Sequence, residues 1–261
     1  MSLQIGQMLV WEQPSDGEDV KPKFEVPIVL ALSLGKSAIY ALLSLIVTLT
    51  TVKGLAGSKV TINQSADTRE WLDLSLHLLG FAFSLAPVAL ALYLLSLDSK
   101  PFTKIGFTLR PFWKNVRDGL GLAALIGIPG IGLYLGARAL GLSAQIQTTS
   151  LNDYWWTIPV LLLSAVSAAL VEEVIVVGYL FERLERLKFR KWTIIFSAAA
   201  LRGSYHLYQG FGGFVGNFAM GVVFGYLYKK YGRLTPLVIA HFVLDAVSFV
   251  GYSFAKQYLP I

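Results

Sequence analysis

The feature that most constrains this chain is a series of apolar runs, most of them close to or above the ~20 residues needed to cross a hydrocarbon core. They lie at about 26–51, 71–97, 120–140, a fourth that ends in the basic stretch after Arg183, 192–208, 211–228 and 234–255. In lipid, a chain segment must satisfy its own backbone hydrogen bonds, and a helix does so within one segment. The expected fold class is therefore all-α: a polytopic transmembrane helical bundle with about seven or eight spans, the eighth arising where Gly251 divides the last run. Residues 1–25 are polar and mixed in charge and read as a cytoplasmic tail, with 26–261 as a single transmembrane domain. No basic segment precedes an apolar core in that tail, so it does not read as a signal peptide.

Composition supports a membrane protein: 55% of the residues are hydrophobic and only 15% charged. The absence of cysteine excludes disulfides, thiolate metal sites and cysteine nucleophiles. The formal net charge of +6 reads as loop lysines and arginines that set topology, not as a nucleic-acid surface. Basic residues cluster in the N-terminal tail, in 98–118, in 183–191 and in 229–233, whereas the alternate loops hold only Lys53, Lys59, Arg69 and Arg138. All the clusters share one side if the N-terminus is cytoplasmic. The basic and aromatic segment 98–118 is suited to an anionic membrane surface. Trp155 and Trp156 read as interfacial anchors, Pro129 as a kink, and Lys36 as a snorkelling lysine. Gly212 with Gly216 and Gly221 with Gly225 give two small faces for close packing, within the chain or between chains, so the oligomeric state stays open. His77 and Asp73 share one helix face. The Asn63-Gln64-Ser65 sequon is short enough to arise by chance.

Glu172 and Glu173 sit inside an otherwise apolar run, Ser167 to Leu184. One ionised side chain at bilayer depth costs about 2.5 kcal/mol or more, so this pair requires partners, water or a function. Glu172 precedes the basic end of its helix by a distance of roughly 15 Å, and His241 follows Arg233 to a depth of roughly 12 Å. Asp245 lies one turn from His241, and Arg202 one turn from His206. Three helices thus carry polar groups that can meet in one cavity, and Asn217, on a fourth, is expected to support them by a hydrogen bond across the bundle. A desolvated carboxylate beside a histidine can act as general base on water, and a second histidine can donate to a developing oxyanion. The same Glu, His, His and Asp are also suitable zinc ligands, without the compact spacing of a His-Glu-x-x-His helix. A third reading needs no catalysis: paired charges that lock helices together, or a proton pathway.

Glu172-Glu173, then His206, then His241-x-x-x-Asp245, in that order on separate helices, resemble the CAAX protease and bacteriocin-processing family, the type II CAAX prenyl endopeptidases. The resemblance covers about 155–250. It implies an intramembrane glutamate-type endopeptidase in a multi-pass, bacterial-type plasma membrane, with its site opening to the cytoplasm. Glu172 would activate water with His206 as its partner, His241 and Asp245 would form the oxyanion side, and Glu173 would be the supporting carboxylate. The implied partners are a membrane-associated or lipidated protein or peptide and the bilayer itself; no cofactor is implied, though zinc stays open on donor chemistry. Two positions depart from the family pattern. Val177 stands where an arginine belongs in Glu-Glu-x-x-x-Arg, and Arg202 stands where a phenylalanine precedes the histidine. The expectation is that they compensate, with Arg202 supplying from the next helix the cation missing at 177. The alternative is a non-catalytic relative that serves as a membrane scaffold, immunity or binding protein.

Overall fold

The computed structural model describes residues 21–255. The expected tail lies outside the described residues up to 20, and residues 21–25 already belong to α1, Lys21–Ala31. α1 and α2 (Leu34–Thr50) form one pair bent by 50°. The chain continues through β1 (Lys59–Asn63), α3 (Glu70–Ser84), α4 (Ala86–Ser96), the short α5 (Pro101–Lys104) and α6 (Phe112–Ala139). Next come β2 (Gln145–Thr149), α7 (Thr157–Glu172), a π-helical segment (Glu173–Tyr179) and α8 (Leu180–Arg186). Then follow α9 (Lys191–Tyr205), α10 (Phe211–Tyr231) and α11 (Thr235–Ala255).

The protein is all-α and polytopic, but the span count is lower than expected. Among the described residues, five helical segments are long and apolar enough to cross a membrane, or six if the bent α1–α2 pair counts as one span. Two details explain the difference. α9 has 15 residues, and at 1.5 Å per residue reaches only about 22 Å, short of the ~30 Å core. It stops at a 3₁₀ turn, Leu207–Gln209, followed by Gly210 at φ 99°, a conformation that favours glycine. Gly251 does not divide the last run, which is one continuous helix. Pro129 lies inside the 28-residue α6.

Thr157–Arg186 is the central element. Its span is 56% buried within the protein, against 17–22% for the other four. Val174, Ile175, Val176, Val177 and Tyr179 are all at most 2% exposed and lie in the main core. Both glycine faces of α10 pack within the chain. A Cβ on Gly221 would lie 2.9 Å from Ala199 Cα of α9, and one on Gly216 would lie 3.3 Å from Leu133 of α6.

The two ends of the bundle differ. At the basic end, Arg183 is 2% exposed and binds Asp98 at 2.7 Å, Glu25 at 3.1 Å and the Leu94 carbonyl at 2.8 Å. This ties α8 to α1 and to the end of α4. Much of the 98–118 segment docks on protein rather than lying free on a surface. Leu234 donates to the Gly106 carbonyl (3.0 Å), Thr108 N–H to Thr235 Oγ1 (2.9 Å), and Arg233 pairs with Asp118 at 2.7 Å. At the other end, β1 and β2 form a parallel pair, Lys59 opposite Gln145. Asn63 of the sequon ends β1 and donates to the Thr148 carbonyl at 2.9 Å. Trp155 is exposed as an anchor would be. Trp156 is not: it is 1% exposed, stacked on Tyr154 at 5.1 Å.

Candidate active site

The site begins where α7 turns into the π-helical segment. Four consecutive β-branched residues, Val174 to Val177, weaken the α-helical preference there. π-helical turns inside α-helices are often found at functional sites. Here the turn opens on the two adjacent glutamates. Glu172 is 8% exposed and Glu173 is fully buried.

Glu172 has four polar neighbours. Tyr205 donates its hydroxyl to Glu172 Oε2 at 2.8 Å. His206 Nε2 stands 3.7 Å from Oε1, Arg202 Nη2 3.6 Å from Oε2, and His241 Nε2 4.0 Å from Oε2. Glu173 Oε1 is gripped from two helices, by the Arg202 guanidinium and by His241 Nδ1 at 2.7 Å. Because a carboxylate oxygen accepts, His241 Nδ1 carries the hydrogen of that bond. Its Nε2 then turns toward Glu172 on one side and Asp245 Oδ2, at 3.5 Å, on the other.

α9 supplies three of these groups from its last two turns. Arg202 is 1% exposed, and its guanidinium carbon lies 5.4 Å from the centre of the Phe224 ring on α10. Its charge therefore meets a carboxylate on one side and an aromatic face on the other. His206 caps α9 where the helix tightens, and Gln209 Nε2 lies 3.3 Å from His206 Nδ1. This turn is propped from the β end: Ala144 donates to the Gln209 carbonyl at 3.0 Å. A Cβ on Gly210 would lie 2.7 Å from the Leu142 carbonyl, so the loop before β2 packs directly on the turn.

Glu172, Glu173, Arg202, His206, His241 and Asp245 thus come together from the α7–π segment, α9 and α11. Asn217 differs. Its amide donates to the Gly213 carbonyl of its own helix at 3.0 Å, not across the bundle. Among the described residues, no group of three or more His, Asp or Glu is arranged to hold a metal ion. Tyr205 and Gln209 were missed by sequence reasoning. A tyrosine next to a histidine gives no spacing signal, because neighbours in a regular helix point in different directions. Tyr205 reaches Glu172 because it closes α9, where the backbone tightens toward the 3₁₀ turn.

Residues 154–247 match the family model described as type II CAAX prenyl endopeptidase Rce1-like. This part of the chain is Rce1-like. No curated protein and no solved structure matched the chain. The Rce1-like stretch contains all six clustered residues and runs from just before α7 into α11. Rce1-like proteins form a peptidase family, and the apolar helices of this chain are those of a multi-pass membrane protein. Within the Rce1-like stretch, Val177 is 2% exposed in the core, and the buried guanidinium beside Glu173 comes from α9.

Proposed function

We propose that the protein is an intramembrane endopeptidase that hydrolyses a peptide bond of a membrane-associated or lipidated substrate with water activated by Glu172. The observation that carries the reading is the position of Glu172. It is nearly buried, lies against His206 and His241 from two other helices, and its pair-mate Glu173 is neutralised by Arg202. A base held among such partners suits removal of a proton from water in a low-dielectric site.

In this mechanism water adds to the scissile carbonyl carbon while Glu172 takes its proton, and the carbonyl electron pair moves onto oxygen. His241, held by Glu173 and Asp245, donates to that oxyanion. The tetrahedral species collapses, the C–N bond breaks, and the amine leaves with the proton that Glu172 had accepted. His206 orients the water, and Gln209 fixes its ring. No covalent intermediate with the protein forms. The Glu173–Arg202 pair supports the geometry without touching substrate, which is the compensation expected from Val177 and Arg202. The basic clusters orient the N-terminus to the cytoplasm.

The test is hydrolysis by the purified protein in lipid vesicles, using peptide pools with and without a lipid group. Wild type cleaves. Glu172→Gln keeps size and most hydrogen bonding but cannot accept the proton, and loses at least about 100-fold in rate. Equal cleavage by Glu172→Gln contradicts the reading.

A further inference from the structure

A cavity of about 390 Å³ lies between α3 and α7 and ends on Glu172. From the geometry we infer that it is the water route to Glu172, entering from the membrane half opposite the basic loops. The inference rests on Glu172 as the group that activates water.

Its polar lining carries the argument. Between Thr157 and Glu172, α7 has two polar side chains, Ser164 and Ser167, and both line this cavity. Across from them α3 contributes His77 and Ser84. The Ser84 and Ser167 hydroxyls are bonded at 2.5 Å, which places one polar step between the outer turns and the glutamate. Ser84 Oγ donates to the Phe81 carbonyl of its own helix at 2.7 Å and so accepts from Ser167, whereas Ser75, also on α3 and bonded to the Trp71 carbonyl, is absent from the lining. The hydroxyls on these two apolar helices are therefore not scattered: those at the cavity lead along one face to Glu172. A buried water requires two to four polar partners, and this file supplies them at successive turns. The remaining walls, such as Leu76, Phe81 and Val171, are apolar and hold no competing charge.

Position within the bundle gives the direction. Ser164 lies seven residues into α7 and His77 seven residues into α3, both counted from the ends nearest β1 and β2. Glu172 closes α7, about 22 Å from its start. The cavity therefore spans the half of the bundle away from Arg183, Arg186 and Lys191. A site fed only from the cytoplasmic side would leave this polar file without a role. The structure thus separates the supply of water from the side on which the basic loops lie.

The chain contains no cysteine, so single cysteines can be read without background. The experiment compares Ser164→Cys with Leu162→Cys; Leu162 is 36% exposed on the same helix and does not line the cavity. Both variants are reconstituted in vesicles of known orientation and treated with a charged, membrane-impermeant methanethiosulfonate. Only a hydrated thiol ionises readily enough to react, so Ser164→Cys is expected to react at least about tenfold faster than Leu162→Cys, and from the face opposite the basic loops. Equal rates, or reaction only from the basic face, would overturn the inference. Labelling does not depend on turnover, so Ser164→Cys labelled as expected in a protein that cleaves nothing would refute the peptidase reading while leaving the hydrated route standing.

Discussion

At the residue scale, the account turns on how a buried carboxylate pair is neutralised. Arg202 touches Glu173 and faces Glu172, so Arg202→Ala strands at least one buried charge. Breaking such a pair costs about 3–5 kcal/mol, visible as a fall in Tm in detergent. Val177→Arg alone forces a long side chain into a filled core and is also destabilising. On the Arg202→Ala background it restores a cation one turn from Glu173 and recovers part of the loss. A silent Arg202→Ala would refute the compensation. Tyr205→Phe removes the 2.8 Å bond to Glu172 Oε2 while keeping the ring. Loss of one hydrogen bond to a charged group costs about 1.5–3 kcal/mol, so the rate falls by roughly 10- to 100-fold and its pH profile moves, whereas an unchanged profile would deny Tyr205 a positioning role. Glu172, Glu173, His206, His241 and Asp245 stood out in the sequence because charge is scarce at membrane depth. Tyr205 did not, since a tyrosine among apolar residues looks like packing until its hydroxyl is placed.

At the element scale, the helices were legible and their interruptions were not. Hydropathy marks an apolar run but not how far its backbone stays helical. It therefore gave α9 the same standing as the longer helices, although α9 ends at Tyr205 with too little length to cross. The π turn left no mark, because its β-branched run reads equally well as ordinary core. β1 and β2 were hidden for the opposite reason: they are five-residue segments in polar loops, paired only through a distant part of the chain. The glycine faces were read correctly as close-packing positions, and the structure now distinguishes them from idle glycines. Gly221→Ala would press a methyl to 2.9 Å from the α9 backbone, next to Arg202. Overpacking of this kind costs about 1–3 kcal/mol and should lower both Tm and activity. Gly132→Ala on α6 meets nothing within 4 Å and should raise stability by about 0.5–1 kcal/mol. If thermal unfolding ranks the two variants the other way, α9 is not seated on α10 as described.

At the scale of the whole molecule, the bundle is closed at its basic end by ion pairs and open along a polar file at the other. Asp98 lies beyond the end of α4 and holds both Arg183 and Arg186. Burial opposes its ionisation, but the two arginines outweigh burial and keep its carboxyl below its ordinary value. A depressed folded value means that its contribution to stability is present above the unfolded value near 4 and is lost as pH falls through the folded one. Tm should therefore drop on acidification below about pH 4, and Asp98→Asn should lower Tm at neutral pH while flattening that acid limb. An unchanged acid limb in Asp98→Asn would mean that the drop comes from other carboxylates. The clustering of basic residues at one end of the bundle was legible from the loops, whereas the cavity was not, because its lining comes from helices far apart in sequence.

The central claim is that Glu172 makes this membrane protein a peptidase. The most direct measurement compares the membrane and secreted peptides of cells carrying wild type with those of cells carrying Glu172→Gln, at matched protein levels. The account predicts peptides or new C-termini that appear only with wild type, and these would name the substrate. Identical profiles, with both proteins rescuing a deletion phenotype, would contradict it and leave a membrane scaffold built on the same residues.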